Sequence, residues 1–155
     1  MMIPPRIFER FGTVPDELIG LCRPHPWAQL TRPHAEGMRS IRGVLLHTAG
    51  AETYWIQHVV LGRPRMKLRE EDLADLDAIL DIWKPQRETT MRFVRALTPE
   101  QRAEKKAFPW DPKELASVED IVWHVVTHEQ YHRGQIFTRL ALLGRRDLPN
   151  HDMLR

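Results

Sequence analysis

His124-Val-Val-Thr-His128-Glu129-Gln130-Tyr131-His132-Arg133-Gly134-Gln135 places three imidazoles four residues apart. In an α-helix, residues i and i+4 lie one above the other on the same face, so such histidines can converge on one ion. The stretch sits inside a longer helical pattern. Ser117-Val118-Glu119-Asp120 reads as a capping box, with aspartate a weaker partner than glutamate, and Gly144 is a natural stop after Leu143. At helical spacing Ile121, Val125, Ile136 and Leu143 share one face. His128 and His132 lie at the edge of that arc, and His124 and Gln135 fall further towards its margin. A core-directed imidazole pair is costly unless its nitrogens are hydrogen-bonded or metal-bound. The same letters spell His-Glu-x-x-His, the zinc-protease helix, so the segment supports two functional readings.

Upstream, Ser40 is a good N-cap for a second helix carrying Ile41, Val44, Leu45, Thr48, Trp55 and Val59, with Leu61-Gly62 and Pro64 as its stop. His47, Ala51, Tyr54 and His58 form a stripe along one margin of its apolar face. A third helical region opens at Glu70-Glu71-Asp72 and carries Leu73, Leu76, Ile79, Leu80, Trp83, Met91, Phe93, Val94 and Leu97. Pro85 predicts a kink or a split within it. Six prolines punctuate the first forty residues, so only a short helix from Pro15 to Arg23 is expected there, with Trp27 and Leu30 in a less regular continuation. Thr98 to Glu114, with Pro99, Pro109 and Pro112, reads as a linker. No stretch shows sustained strand alternation. The pattern predicts an all-α, antiparallel bundle of about four helices with short connections.

The chain has 155 residues, enough for one domain over 1–155 with a proper core and too few for two ordinary ones. A net charge of +2 with interspersed acids gives no electrostatic case for nucleic acid. Cys22 is alone, which excludes an internal disulfide and makes a reducing cytoplasm the expected location. No apolar leader or membrane-length segment is present, so no membrane partner is expected.

A third ligand from another helix would complete a metal site with His128 and His132. His47 borders the apolar face of the second helix, with His58 as its competitor about three turns further along. His25, His34 and His151 stand near prolines or a terminus and read as ordinary surface residues.

The His128-x-x-x-His132-Arg133-Gly134-Gln135 element and Ser40-Ile41-Arg42-Gly43-Val44-Leu45-Leu46-His47 together resemble the DinB/YfiT-like superfamily, small four-helix bundles with a three-histidine metal site. Glu52, Trp55, Trp123-His124-Val125-Val126 and Leu142-Leu143-Gly144 support the likeness. It implies that His47, His128 and His132 are the ligands of a divalent metal, zinc or nickel. It gives Arg133, Gly134 and Gln135 supporting roles and makes His124 a neighbour of the site. It also implies a homodimer. The first helix is shorter and richer in proline than the family's, and Pro85 departs from its third helix.

The protease reading needs Glu129 as general base and a further protein ligand downstream. The extended zinc-protease pattern is absent, because Gln135 and Thr138 occupy its glycine and third-histidine positions. Glu129 falls within the apolar arc, where pairing with an arginine is favoured over a role as general base. Three neutral histidines leave a coordination position open, as catalytic rather than structural zinc does. Characterised enzymes of the resembling superfamily include metal-dependent transferases that use low-molecular-weight thiols. The resemblance thus implies a metal-dependent thiol S-transferase acting on a small molecule, with Trp27, Tyr54, Trp55 and Trp123 as candidate lining. A non-catalytic metal-binding stress-response protein is the alternative, and a metal-dependent hydrolase a third.

Overall fold

A computed structural model describes residues 3–150. Helix α1 runs Pro5–Cys22, longer than the expected Pro15–Arg23, and starts on a proline whose missing N–H costs nothing in a first turn. Phe8, Phe11, Val14, Leu18, Ile19 and Cys22 form its buried stripe. Pro15 lies inside the helix rather than at its start, and its ring removes the N–H that the Phe11 carbonyl would otherwise accept. Arg87, from a different helix, donates Nη1 to that carbonyl instead. A tertiary contact thus replaces the helical one.

Helix α2 is the short turn Trp27–Thr31. Helix α3, Ile41–Glu52, begins as expected, with Ser40 Oγ accepting from the Gly43 N–H at 3.0 Å. It continues into a π-helical segment, Thr53–Val60. The acids Glu70–Asp72 form a separate 3₁₀ turn and do not open the next helix. The turn packs beside Gly43, where a Cβ would stand 2.8 Å from Glu70 Oε1, and Glu70 pairs with Arg42 at 2.9 Å. Helix α4, Leu76–Ala96, is capped by Asp75 and passes through Pro85 without splitting.

The segment read as a linker is structured. Helix α5 spans Pro99–Ala103, and β1 (Lys105–Phe108) pairs antiparallel with β2 (Asp111–Ser117), with a register shift between Ala107 and Phe108. Both strands are edges, which tolerates Pro112, and Pro109 falls in the turn. Helix α6, Val118–Leu142, opens on the expected capping box, with both reciprocal bonds between Ser117 and Asp120 at 3.0 Å.

Helices α1, α3, α4 and α6 make the four-helix bundle. One apolar cluster joins the C-terminal halves of α1 and α6 to the N-terminal halves of α3 and α4. A second joins the opposite ends, from Phe8 and Phe11 through Ile56, Met91 and Val94 to Val122. Two helices therefore run each way, α1 with α6 against α3 with α4. Because α3 and α4 point the same way, residues 61–75 must return along the bundle, so that connection is not short. Between the two clusters lies a polar waist. Among the described residues no helix is long and apolar enough to cross a membrane.

Candidate metal centre

His47, in the middle of α3, faces His128 and His132 on the oppositely directed α6. His128 Nε2 lies 3.2 Å from His47 Nε2 and 3.1 Å from His132 Nε2, and the three ligand-capable atoms fall within 4.8 Å of one another. Nitrogens on a tetrahedral ion with bonds near 2.0–2.1 Å stand about 3.4 Å apart, so this spacing fits a single first-row divalent ion with little movement. His132 Nδ1–H donates to Gln135 Oε1 at 2.9 Å, which leaves Nε2 with its lone pair turned to the cluster. That bond is the kind that orients a metal-binding imidazole.

The electrostatics favour neutral rings. Burial lowers the His47 pKa, helped by Arg39 and His132. Burial, then His132, His47, His124 and Arg39, brings His128 down to about 4. His132 is lowered by burial, against the Gln135 hydrogen bond that raises it, with Arg39 and Arg139 adding to the depression. Neutral imidazoles at pH 7 offer lone pairs without first losing a proton, as metal binding requires.

Glu129, next in sequence to His128, points elsewhere. It is 3% exposed and joined to Arg87, which also grips Glu52 with Nη2 2.8 Å from Oε2. Trp83 Nε1–H donates to Glu52 at 2.9 Å. With the Phe11 carbonyl, Arg87 thereby ties α4 to α1, α3 and α6. Burial pushes the Glu129 pKa up, against the opposing pull of Arg87. Burial alone would lower the Arg87 pKa, but Glu129 and Glu52 outweigh it and raise it. The ion-pair account of Glu129 is the one the structure holds.

The remaining candidates separate clearly. Arg133 is buried and meets Glu17 at 2.5 Å. His124 is exposed, its ring 5.6 Å from that of His128. His58 turns away, Nδ1 lying 2.8 Å from the Arg63 carbonyl oxygen. His25 and His34 are half-buried rather than surface residues, each with an Nε2 closed off without a partner. His151 lies outside the described residues.

Tyr54 and Trp55 line a cleft of about 520 Å³ that also contains His47 and His128, with Arg39, Arg65 and Lys67 on its walls. They stand where α3 has widened into its π segment, a feature frequent at functional sites. Trp27 and Trp123 pack against the two apolar clusters and are not part of this cleft's lining. Sequence reasoning missed Phe108 and Trp110, which the hairpin brings within 5.6 and 5.7 Å of Trp55, ring to ring. With Ile121 and His124 they enclose a second, apolar pocket of about 320 Å³. The only signal for them was an aromatic pair in a proline-containing segment.

Residues 10–136 match the model of the DinB superfamily. The chain is 21% identical over 131 residues to the uncharacterised protein YizA of Bacillus subtilis, covering 84% of this chain and 82% of that one. Its fold matches YfiT of B. subtilis, described as a probable metal-dependent hydrolase with an unusual four-helix bundle topology. That match has a TM-score of 0.72 at 20% identity and covers 89% of this chain and 86% of YfiT. The DinB-like protein YjoA of B. subtilis matches with a TM-score of 0.73 at 17% identity, over 94% of this chain and 97% of that one.

Proposed function

The chain belongs to the DinB superfamily, and from that premise we propose that His47, His128 and His132 hold one divalent ion, zinc or nickel, in a thiol S-transferase-like enzyme. Bound there, the ion would supply Lewis acidity, lowering the pKa of a thiol or a water and leaving a coordination position open. The observation that carries the reading is the composition of the cluster: three neutral imidazoles and, among the described residues, no carboxylate. Glu129, the one acid in a general-base position by sequence, is closed around Arg87. A site without a protein base favours a nucleophile that ionises easily, and a free thiol at about 8.5 is far closer to neutrality than water at about 15.7.

The chain's own groups then have separable tasks. His132 is held in one tautomer by Gln135. Arg39, Arg65 and Lys67 outnumber Glu70, itself paired with Arg42, and draw an anionic small molecule into the cleft, while Tyr54 and Trp55 offer flat apolar surface to the rest of it. Self-association as a homodimer belongs to the same reading.

A hydrolase is the second reading, favoured by the description of YfiT. A metal-binding stress-response protein without turnover is the third. Glutathione, bacillithiol and mycothiol assayed against a panel of electrophiles with the metal-loaded chain separate the three. Thiol-dependent conjugation that disappears in His128→Ala supports the transferase. Ester or amide cleavage without any thiol supports the hydrolase. Stoichiometric metal with no turnover in either assay leaves the non-catalytic role.

A further inference from the structure

Three large cations are buried in the bundle, and two are neutralised. Arg87 faces Glu52 and Glu129, and Arg133 meets Glu17. Arg139 on α6 is only 5% exposed, yet no carboxylate among the described residues pairs with it. Its Nε donates to the Arg39 carbonyl at 3.3 Å and its Nη1 to the Gln135 carbonyl at 3.0 Å. Its Nη2 makes no hydrogen bond among the described residues. Burying a guanidinium without a counter-charge is unfavourable, and burial accordingly pulls the Arg139 pKa down, against an opposing effect from Tyr131.

Arg139 lines a cleft of about 590 Å³ together with Arg39, Tyr131, Gln135 and His132. The Arg39 side chain, exposed and without an ion pair among the described residues, stands on the rim of both this cleft and the one holding Tyr54 and Trp55. Gln135 spends its amide oxygen on His132, which leaves its NH₂ as a donor. Two cations, an amide donor and a phenol thus converge beside His132, with no acid among the described residues lining the cleft. A planar guanidinium fork is suited to a two-oxygen anion.

We propose that this cleft is an oxyanion subsite, in which Arg139 and Arg39 receive a carboxylate or phosphate group carried by the substrate. The substrate then spans the histidine cluster, with its anionic end on the His132 side and its apolar part towards Tyr54 and Trp55. The proposal rests on the functional reading above for the identity of the substrate, but the anion contact itself needs only the two arginines.

Calorimetric titration of inorganic phosphate into the metal-loaded full-length chain at low salt tests it. Saturable binding is expected, weakened about tenfold or more in Arg139→Met, as loss of a charged hydrogen bond implies, and partly restored in Arg139→Lys. Arg39→Ala should weaken it less, and Lys84→Ala, on the opposite side of the bundle, should leave it unchanged. Should Arg139→Met fail to fold, Arg39→Ala and Tyr131→Phe decide: wild-type affinity in both overturns the proposal. So does the absence of millimolar binding to wild type. The same titration on His47→Ala separates arginine from metal. Binding kept after metal loss supports the subsite, whereas binding lost with the metal and indifferent to Arg139 refutes it. Phosphate binding alongside an absence of thiol turnover would sink the thiol reading alone.

Discussion

His128 and Glu129 are adjacent on α6, yet they belong to regions that resolve burial in opposite ways. Glu129 enters a closed ionic layer, where Arg87, Glu52, Trp83 and the Phe11 carbonyl satisfy one another. His128 enters an open one, where three imidazoles face each other without an acid among the described residues. A closed layer holds the helices at fixed rotation and offers nothing to a ligand. An open one is incomplete until something arrives. The contrast separates a structural carboxylate from metal-competent histidines although the motif interleaves them.

The sharpest way to break the comparison is Arg87→Met. It leaves two carboxylates buried without a cation, and denaturant unfolding should report a loss of about 3–5 kcal/mol. A loss under about 1 kcal/mol would show that the layer is not closed in the sense described. Next comes the open region. Chelation should lower the melting temperature of wild type, since an ion present at about 100 times its Kd contributes roughly 2.7 kcal/mol by mass action. His128→Ala should melt at the same temperature with and without chelator. Gln135→Ala, which frees His132 Nδ1, should weaken metal binding about 10–100-fold while leaving unfolding of the metal-free chain nearly unchanged. An unaltered affinity would remove Gln135 from the account.

A further test lies in the pH dependence of the metal-free fold. Burial holds His128 at about 4 in the folded chain, below the ordinary histidine value of 6.5. Between those values the unfolded chain binds the extra proton, so stability is complete above 6.5 and falls as the pH drops towards 4. Melting curves over that window should show a shallower slope in His128→Ala. Equal slopes would mean that the trio is not held neutral by the fold.

What could be read from sequence was local. The Ser40 and Ser117 caps and the four-residue spacing of His128 and His132 depend on neighbours in the chain, and all three are found as read. His47 was a candidate from its place beside the apolar face of its helix, but the family resemblance was needed to choose it over His58, because nothing near it in sequence announces a partner on α6. Pro15 misled because its cost is offset from α4, through Arg87. The hairpin was hidden by two short strands whose aromatics matter only once Trp55 lies against them. The π segment has no periodic signature of its own. Arg139 sat unnoticed in a helix read for its histidines, since its lack of a counter-charge shows only when the whole neighbourhood is known.

The central claim is that His47, His128 and His132 hold one ion together. Metal content by mass spectrometry, on wild type beside His47→Ala, His128→Ala and His132→Ala, tests it most directly. The account predicts one divalent ion per wild-type chain and only traces in each variant. Stoichiometric metal retained in His47→Ala would contradict it.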